Sequence, residues 1–189
     1  MHEQEWKGAT LTGCTKEEFD LHNLNLSIAN YIKEATEVEK LLPKIDEAMR
    51  IADDRSFTIR PSIRANAFSN AATYYHMLGH DKHAIPYMQK ALDIFRGSKL
   101  EQVDEVAYAI ALANAARLEV GLRLFREAEK HCLEAIEIKE RILPKDHHAL
   151  HRTVASLAQL YKNHMHQPEK ADALKRKYQS AFSDTPWRS

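Results

Sequence analysis

Residues 70–92 read NAATYYHMLGHDKHAIPYMQKAL and residues 114–136 read NAARLEVGLRLFREAEKHCLEAI. Both open on Asn-Ala-Ala, carry an apolar anchor at Tyr74 or Leu118, and place small residues at Ala84 and Ala91 in one and at Ala128 and Ala135 in the other. A frame that returns at a fixed offset is the mark of a repeat architecture. It extends downstream into ASLAQLYKNHMHQPEKADAL (155–174), with Tyr161 as anchor and Ala171 as small residue, and upstream into LSIANYIKEATEVEKLLPKIDEAM (26–49), with Tyr31 and Ala48. The anchors Tyr31, Tyr74, Leu118 and Tyr161 thus return every 43 or 44 residues.

Within each unit, small and apolar residues recur three and four apart on both sides of a short break, which predicts two amphipathic helices. In the second unit Phe68, Ala71, Ala72 and Tyr75 mark one helix, and Ala84, Tyr87, Met88, Ala91, Leu92 and Phe95 the next. Period-two alternation is absent and Ala, Leu, Glu and Lys dominate, so strands are disfavoured. Thr15 and Glu18 form a T-x-x-E capping box ahead of the first helix, and Gly79 stands where a helix in this frame ends. Pro43 and Pro86 occupy equivalent places, expected near the start of the second helix, where a missing N–H costs little. Breaks between units fall at 53–61 (DDRSFTIRP), 96–102 (RGSKLEQ) and 143–148 (LPKDHH). The expected organisation is an N-terminal flexible segment 1–16, one helical-repeat domain 17–183 with units 17–59, 60–100, 101–145 and 146–183, and a tail 184–189.

Composition narrows the function. Lys and Arg number 27 and so do Asp and Glu, giving a formal net charge of zero and removing the attraction that non-specific nucleic-acid binding needs. The charge is banded, acidic over 1–54 and 101–144 and basic over 55–100 and 145–189. No apolar run approaches the length of a membrane span, and the opening MHEQEWKGAT does not read as a signal peptide. The two cysteines, Cys14 and Cys132, make no disulfide framework, so a reducing, cytoplasmic setting is expected. No Gly-rich phosphate loop, G-x-S-x-G, H-E-x-x-H or familiar Cys-His spacing appears, so neither enzyme activity nor a cofactor is expected. His147, His148, His151, His164 and His166 fall in one unit without a completing Cys pair or carboxylate, and a solvated or capping role is expected in place of a metal site.

Helix pairs with small residues at the crossing points and a bulky residue closing the turn resemble the tetratricopeptide repeat, whose usual period is 34 residues. The longer spacing here, the Asn-Ala-Ala element, the Ala-Ile-Pro run at 84–86 and LPKDHHALHRTVASLAQLY (143–161) are similar to the long-helix repeats of kinesin light chains. The resemblance implies an all-α, right-handed α-solenoid of four helix-turn-helix hairpins, about eight helices. Leu41 in the first unit and Tyr178 in the fourth stand where other units carry Ala, as end units of such arrays often depart from the pattern.

In stacked hairpins of this kind the first helix of each unit lines a concave groove. The frame assigns to that groove Asn23, Asn30 and Lys33; Asn66, Asn70, Thr73 and His76; Asn114 and Arg117; and Asn163 and His164. A carboxamide both donates and accepts, which suits the backbone of an extended peptide, and Lys33 and Arg117 suit a carboxylate. In the repeats that the chain resembles, Asn at the places of Asn70 and Asn114 contacts peptide backbone. A clamp for acidic chaperone tails is disfavoured, because Leu26, Ile110 and Asn114 stand where that clamp needs cations. The expected function is therefore that of an adaptor or scaffold gripping a protein or peptide partner, without nucleic acid or membrane. Two alternatives are a self-assembling structural protein, joined through solenoid ends or through the tail with Trp187, and a peptide-sensing subunit acting through a separate effector.

Overall fold

The computed structural model describes residues 13–34, 38–99 and 103–179. Trp6, Trp187, the tail and most of the N-terminal segment lie outside them. Eight α-helices and no strand occur among the described residues: α1 (Lys16–Glu34), α2 (Leu42–Asp53), α3 (Pro61–Met77), α4 (Asp81–Gly97), α5 (Glu105–Gly121), α6 (Phe125–Ile142), α7 (His148–Gln159) and α8 (Pro168–Lys177). A 3-10 turn, Val38–Leu41, leads into α2, and a π-helical turn, Leu160–His164, extends α7. Helix packing divides the chain into two compact units, 1–103 and 104–189, each holding two hairpins.

The hairpins close at small residues. Ala84, Ala128 and Ala171 are all but inaccessible, as are Ala48, Ala91 and Ala135. Without a side chain beyond Cβ, each lets the partner helix approach closely, and α3 packs on α4 and α5 on α6 along their length. The anchors Tyr74, Leu118 and Tyr161 are buried beside these crossings, whereas Tyr31 is 39% exposed and lies under the Lys44 ammonium. In the first unit of the repeat, Leu41 takes the crossing position and is itself buried, as the last residue of the 3-10 turn. In the fourth, Tyr178 is buried with its hydroxyl donating to Glu140 at 2.7 Å.

Three of the turns within hairpins each use one left-handed residue. Gly79 (φ 74°) ends α3, with the His80 N–H donating to the Tyr75 carbonyl and the Gly79 N–H to that of His76, a Schellman closure. Arg123 (φ 63°) repeats it after α5, where Leu124 N–H reaches Glu119 O and Arg123 N–H reaches Val120 O. His166 (φ 54°) takes the same place after the π turn, so the left-handed position recurs with the sequence repeat. Only the glycine holds this conformation without steric cost.

Two sequence expectations change in detail. Pro86 lies in the interior of α4, which starts at Asp81, so it removes a hydrogen bond that its equivalent Pro43, in the first turn of α2, does not. The capping box is half made: Thr15 Oγ1 accepts from the Glu18 N–H at 3.2 Å, but the Glu18 carboxylate turns away to Arg60, accepting from its backbone N–H at 3.1 Å and its Nε at 2.5 Å.

Replacing Arg123 by Gly should raise stability by about 1 kcal/mol by relieving the left-handed strain, partly offset by the freer unfolded chain. Ala91→Leu should lower stability by about 1 to 3 kcal/mol through overpacking at the crossing. Denaturant unfolding of the two variants against the parent checks both signs.

Candidate functional site

The first unit holds seven of the residues assigned to the groove, and several are engaged within the fold. Asn30 and Lys33 are exposed on α1, and Asn23 and Asn66 are half-buried. Asn70 donates through Nδ2 to the backbone carbonyl of Asn25 at 3.1 Å, while Asn25, buried on α1, donates to the Ile63 carbonyl at 2.8 Å. These amides fasten α1 to α3. Thr73 is buried and its hydroxyl donates to the Ser69 carbonyl one turn back, so it presents nothing outward. His76 Nδ1 lies 2.7 Å from the Asp81 carboxylate across the turn.

In the second unit, Asn114, Arg117, Asn163 and His164 all line one open cavity of about 360 Å³, formed by α5, α6, α7 and the π turn. Asn114 and Arg117 lie one turn apart on α5, and Arg117 donates to the Asn114 Oδ1 at 3.2 Å. The π turn, marked by the Met165 N–H donating to Leu160 O at 3.0 Å, carries Asn163 and His164, whose ring stacks on Phe125 at 5.1 Å. Such turns are a frequent device for re-aiming side chains at functional sites. Ile110, on the same lining, is 48% exposed, and Val106 one turn earlier on α5 is 49% exposed.

Five further polar residues line it and were not anticipated: Lys139, Arg152, Thr153, Ser156 and Gln159. Lys139 is only 4% exposed, yet among the described residues its ammonium meets no carboxylate. It donates to Thr153 Oγ1 at 2.7 Å and, at 3.4 Å, to the Ala149 carbonyl. Burial above all, then repulsion from Arg152, brings its pKa down to about 8. The same two causes lower that of Arg117. Cys132, the buried thiol between them on α6, is pushed up to about 11 by burial, and so is inert as a thiolate at neutral pH. The signal for Lys139 was in the sequence: it falls three and four residues after Ile136 and Ala135, on the apolar stripe of α6.

The histidines at 147–151 make contacts within the fold. His147 caps α7, accepting from the Ala149 N–H at 3.1 Å, and stacks on His148; His151 Nε2 meets the Lys145 carbonyl at 3.0 Å. Among the described residues no three His, Cys, Asp or Glu side chains are grouped to hold a metal ion, and no helix is long and apolar enough to cross a membrane.

Residues 109–149 match the family model for the tetratricopeptide repeat. They run from the middle of α5 through α6 to the start of α7. Among solved structures the fold is similar to BtubC (BKLC) from P. vanneervenii, with a TM-score of 0.58 and 18% identity, over 90% of this chain and 76% of that one. No curated protein matches the sequence.

A buried cation without an acid partner opposes folding, because the unfolded chain keeps that charge solvated. Since the folded pKa is the lower one, the penalty is complete below pH 8 and fades as the pH rises from there toward the ordinary lysine value. Lys139→Met should therefore raise the melting temperature at pH 7, by an increment that shrinks between pH 8 and 10. Thermal scans of both proteins at several pH values test this.

Proposed function

We propose that this chain, a tetratricopeptide repeat protein, is an adaptor that holds a segment of another polypeptide against the first helices of its hairpins, with the cavity of the second unit as the principal contact. One observation carries the reading: Asn114 and Arg117 on α5 and Asn163 and His164 on the π turn converge on a single concavity. Its volume is in the range of sites that enclose a ligand side chain or small ligand. Amide groups of Asn114 and Asn163 offer a donor and an acceptor each to an extended backbone. Exposed Ile110 and Val106 add an apolar strip beside them.

In the first unit, Asn30, Lys33, Asn23 and Asn66 remain available to a bound segment, whereas Asn70 and Thr73 serve α1–α3 packing and the helix itself. The protein works by binding and performs no chemistry. The cysteine count of two, Cys14 and Cys132, too few for a disulfide framework, supports placing it in a reducing, cytoplasmic compartment.

The test is affinity selection of random peptides displayed on phage against the purified chain and against the variant Asn114→Ala, Arg117→Ala, Asn163→Ala. The parent should enrich a family of related peptides, and the variant should bind them at least tenfold more weakly while keeping its helicity and melting temperature. Undiminished binding by the variant refutes the assignment of the cavity.

A further inference from the structure

Lys139, buried on α6, reaches the cavity of the second unit, whose lining also includes Arg117 from α5, Arg152 from α7 and His164 from the π turn. No Asp or Glu lines it. Glu119, the acid felt through the neighbouring Cys132, is held by His131 at 2.9 Å. Both arginines are exposed, so an enclosed amine shares a cavity with two guanidinium groups that have room to turn toward it.

The hydrogen bonds of Lys139 suit an amine as well as an ammonium. An ammonium carries three donors, and two acceptors meet it: Thr153 Oγ1 at 2.7 Å and the Ala149 carbonyl at 3.4 Å. Loss of one proton leaves both bonds in place and a lone pair at the third position. Burial and the charge of Arg152 favour that loss, bringing the pKa down to about 8. A desolvated lysine in this state is a nucleophile.

Three features decide which electrophile fits. Burial demands a small reagent, the flanking arginines oppose a cationic one, and those arginines lack a counter-charge that the product could supply. Acetylation would remove the lysine charge but bring no anion. Carbon dioxide satisfies all three conditions: it is uncharged, it adds three heavy atoms where about 360 Å³ is open, and its adduct is a carboxylate.

We propose that Lys139 is a carboxylation site, where carbon dioxide adds to Nζ and Arg117 and Arg152 hold the resulting N-carboxylate. The nitrogen lone pair forms the N–C bond, one C=O π pair moves onto oxygen, and one N–H proton passes to solvent; nothing is oxidised or reduced. The adduct keeps one N–H, which stays on Thr153 Oγ1. The Ala149 carbonyl gives up its 3.4 Å contact but still accepts from the Thr153 hydroxyl at 3.1 Å, so no buried polar group is stranded. A buried cation without an acid partner is exchanged for an anion that two guanidinium groups can meet in two-point fashion. The modification is reversible, is no turnover, and does not depend on a polypeptide occupying the groove.

The test uses the intact chain near its Lys139 midpoint of about pH 8, in carbon-13 bicarbonate and in buffer freed of carbon dioxide. Bicarbonate should produce a carbamate carbonyl NMR resonance, distinct from that of the α-amine, that is absent in Lys139→Met, a variant expected to fold more stably than the parent. Trapping with a trialkyloxonium salt followed by peptide mass spectrometry should find the ester on Lys139 about tenfold above any exposed lysine, whose amine stays protonated at this pH. Arg152→Gln should lower the occupancy about tenfold, the loss expected of one charge-assisted contact. Bicarbonate should also raise the melting temperature of the parent and leave that of Lys139→Met unchanged. The proposal is overturned by the absence of a carbamate resonance that depends on Lys139, by labelling spread evenly over exposed lysines, or by undiminished occupancy in Arg152→Gln.

Discussion

Close approach of two helices at a buried alanine is the constraint from which the rest of this fold follows. At Ala84, Ala128 and Ala171 the second helix of a hairpin buries a side chain no larger than a methyl group. That approach leaves room for only a short turn, and a short turn requires one left-handed residue, supplied by Gly79, Arg123 and His166 in succession. The turn fixes the register of the pair, the register puts Tyr74, Leu118 and Tyr161 inside, and what is left over on the first helices faces outward. Arg123 and His166 hold a conformation that glycine would hold more easily, so the geometry of the turn is enforced by the packing on either side of it.

Such a chain is readable where the physics is periodic. The alanines and the anchors repeat with the helix pairs, so the hairpins and the atypical Leu41 and Tyr178 could be placed from residue spacing. Reading failed where a side chain chose between partners that spacing does not reveal. Glu18 has the position of a capping residue but meets Arg60 from a distant turn. Asn70 has the position of a groove residue but faces Asn25 on the neighbouring helix. Thr73 turns its hydroxyl back to its own helix. The π turn that carries Asn163 and His164 left no trace in the composition, because the extra residue it accommodates fits a hydrophobic pattern as well as an α-helical turn does.

The site shows the opposite economy from the core. Nearly every buried polar group in the hairpins is satisfied by a partner of matching character, as in the hydroxyl of Tyr161 donating to Glu129 at 2.8 Å and Lys170 meeting the same carboxylate at 3.1 Å. Lys139 is the departure. It occupies a position on α6 that an aliphatic residue would fill with less cost, and it has a lowered pKa and two arginines for company. A buried ionisable residue with a shifted pKa in a cleft is a candidate functional position. That contrast links the energetics of the fold to the cavity: the feature that weakens the free protein lies on its lining.

A crystal structure of the chain with a selected peptide examines this account most directly. The account places the peptide along α5 and the π turn, in contact with Asn114, Arg117 and Asn163. A peptide seated on the outer faces of α6 or α8, with the cavity still open to solvent, would contradict it.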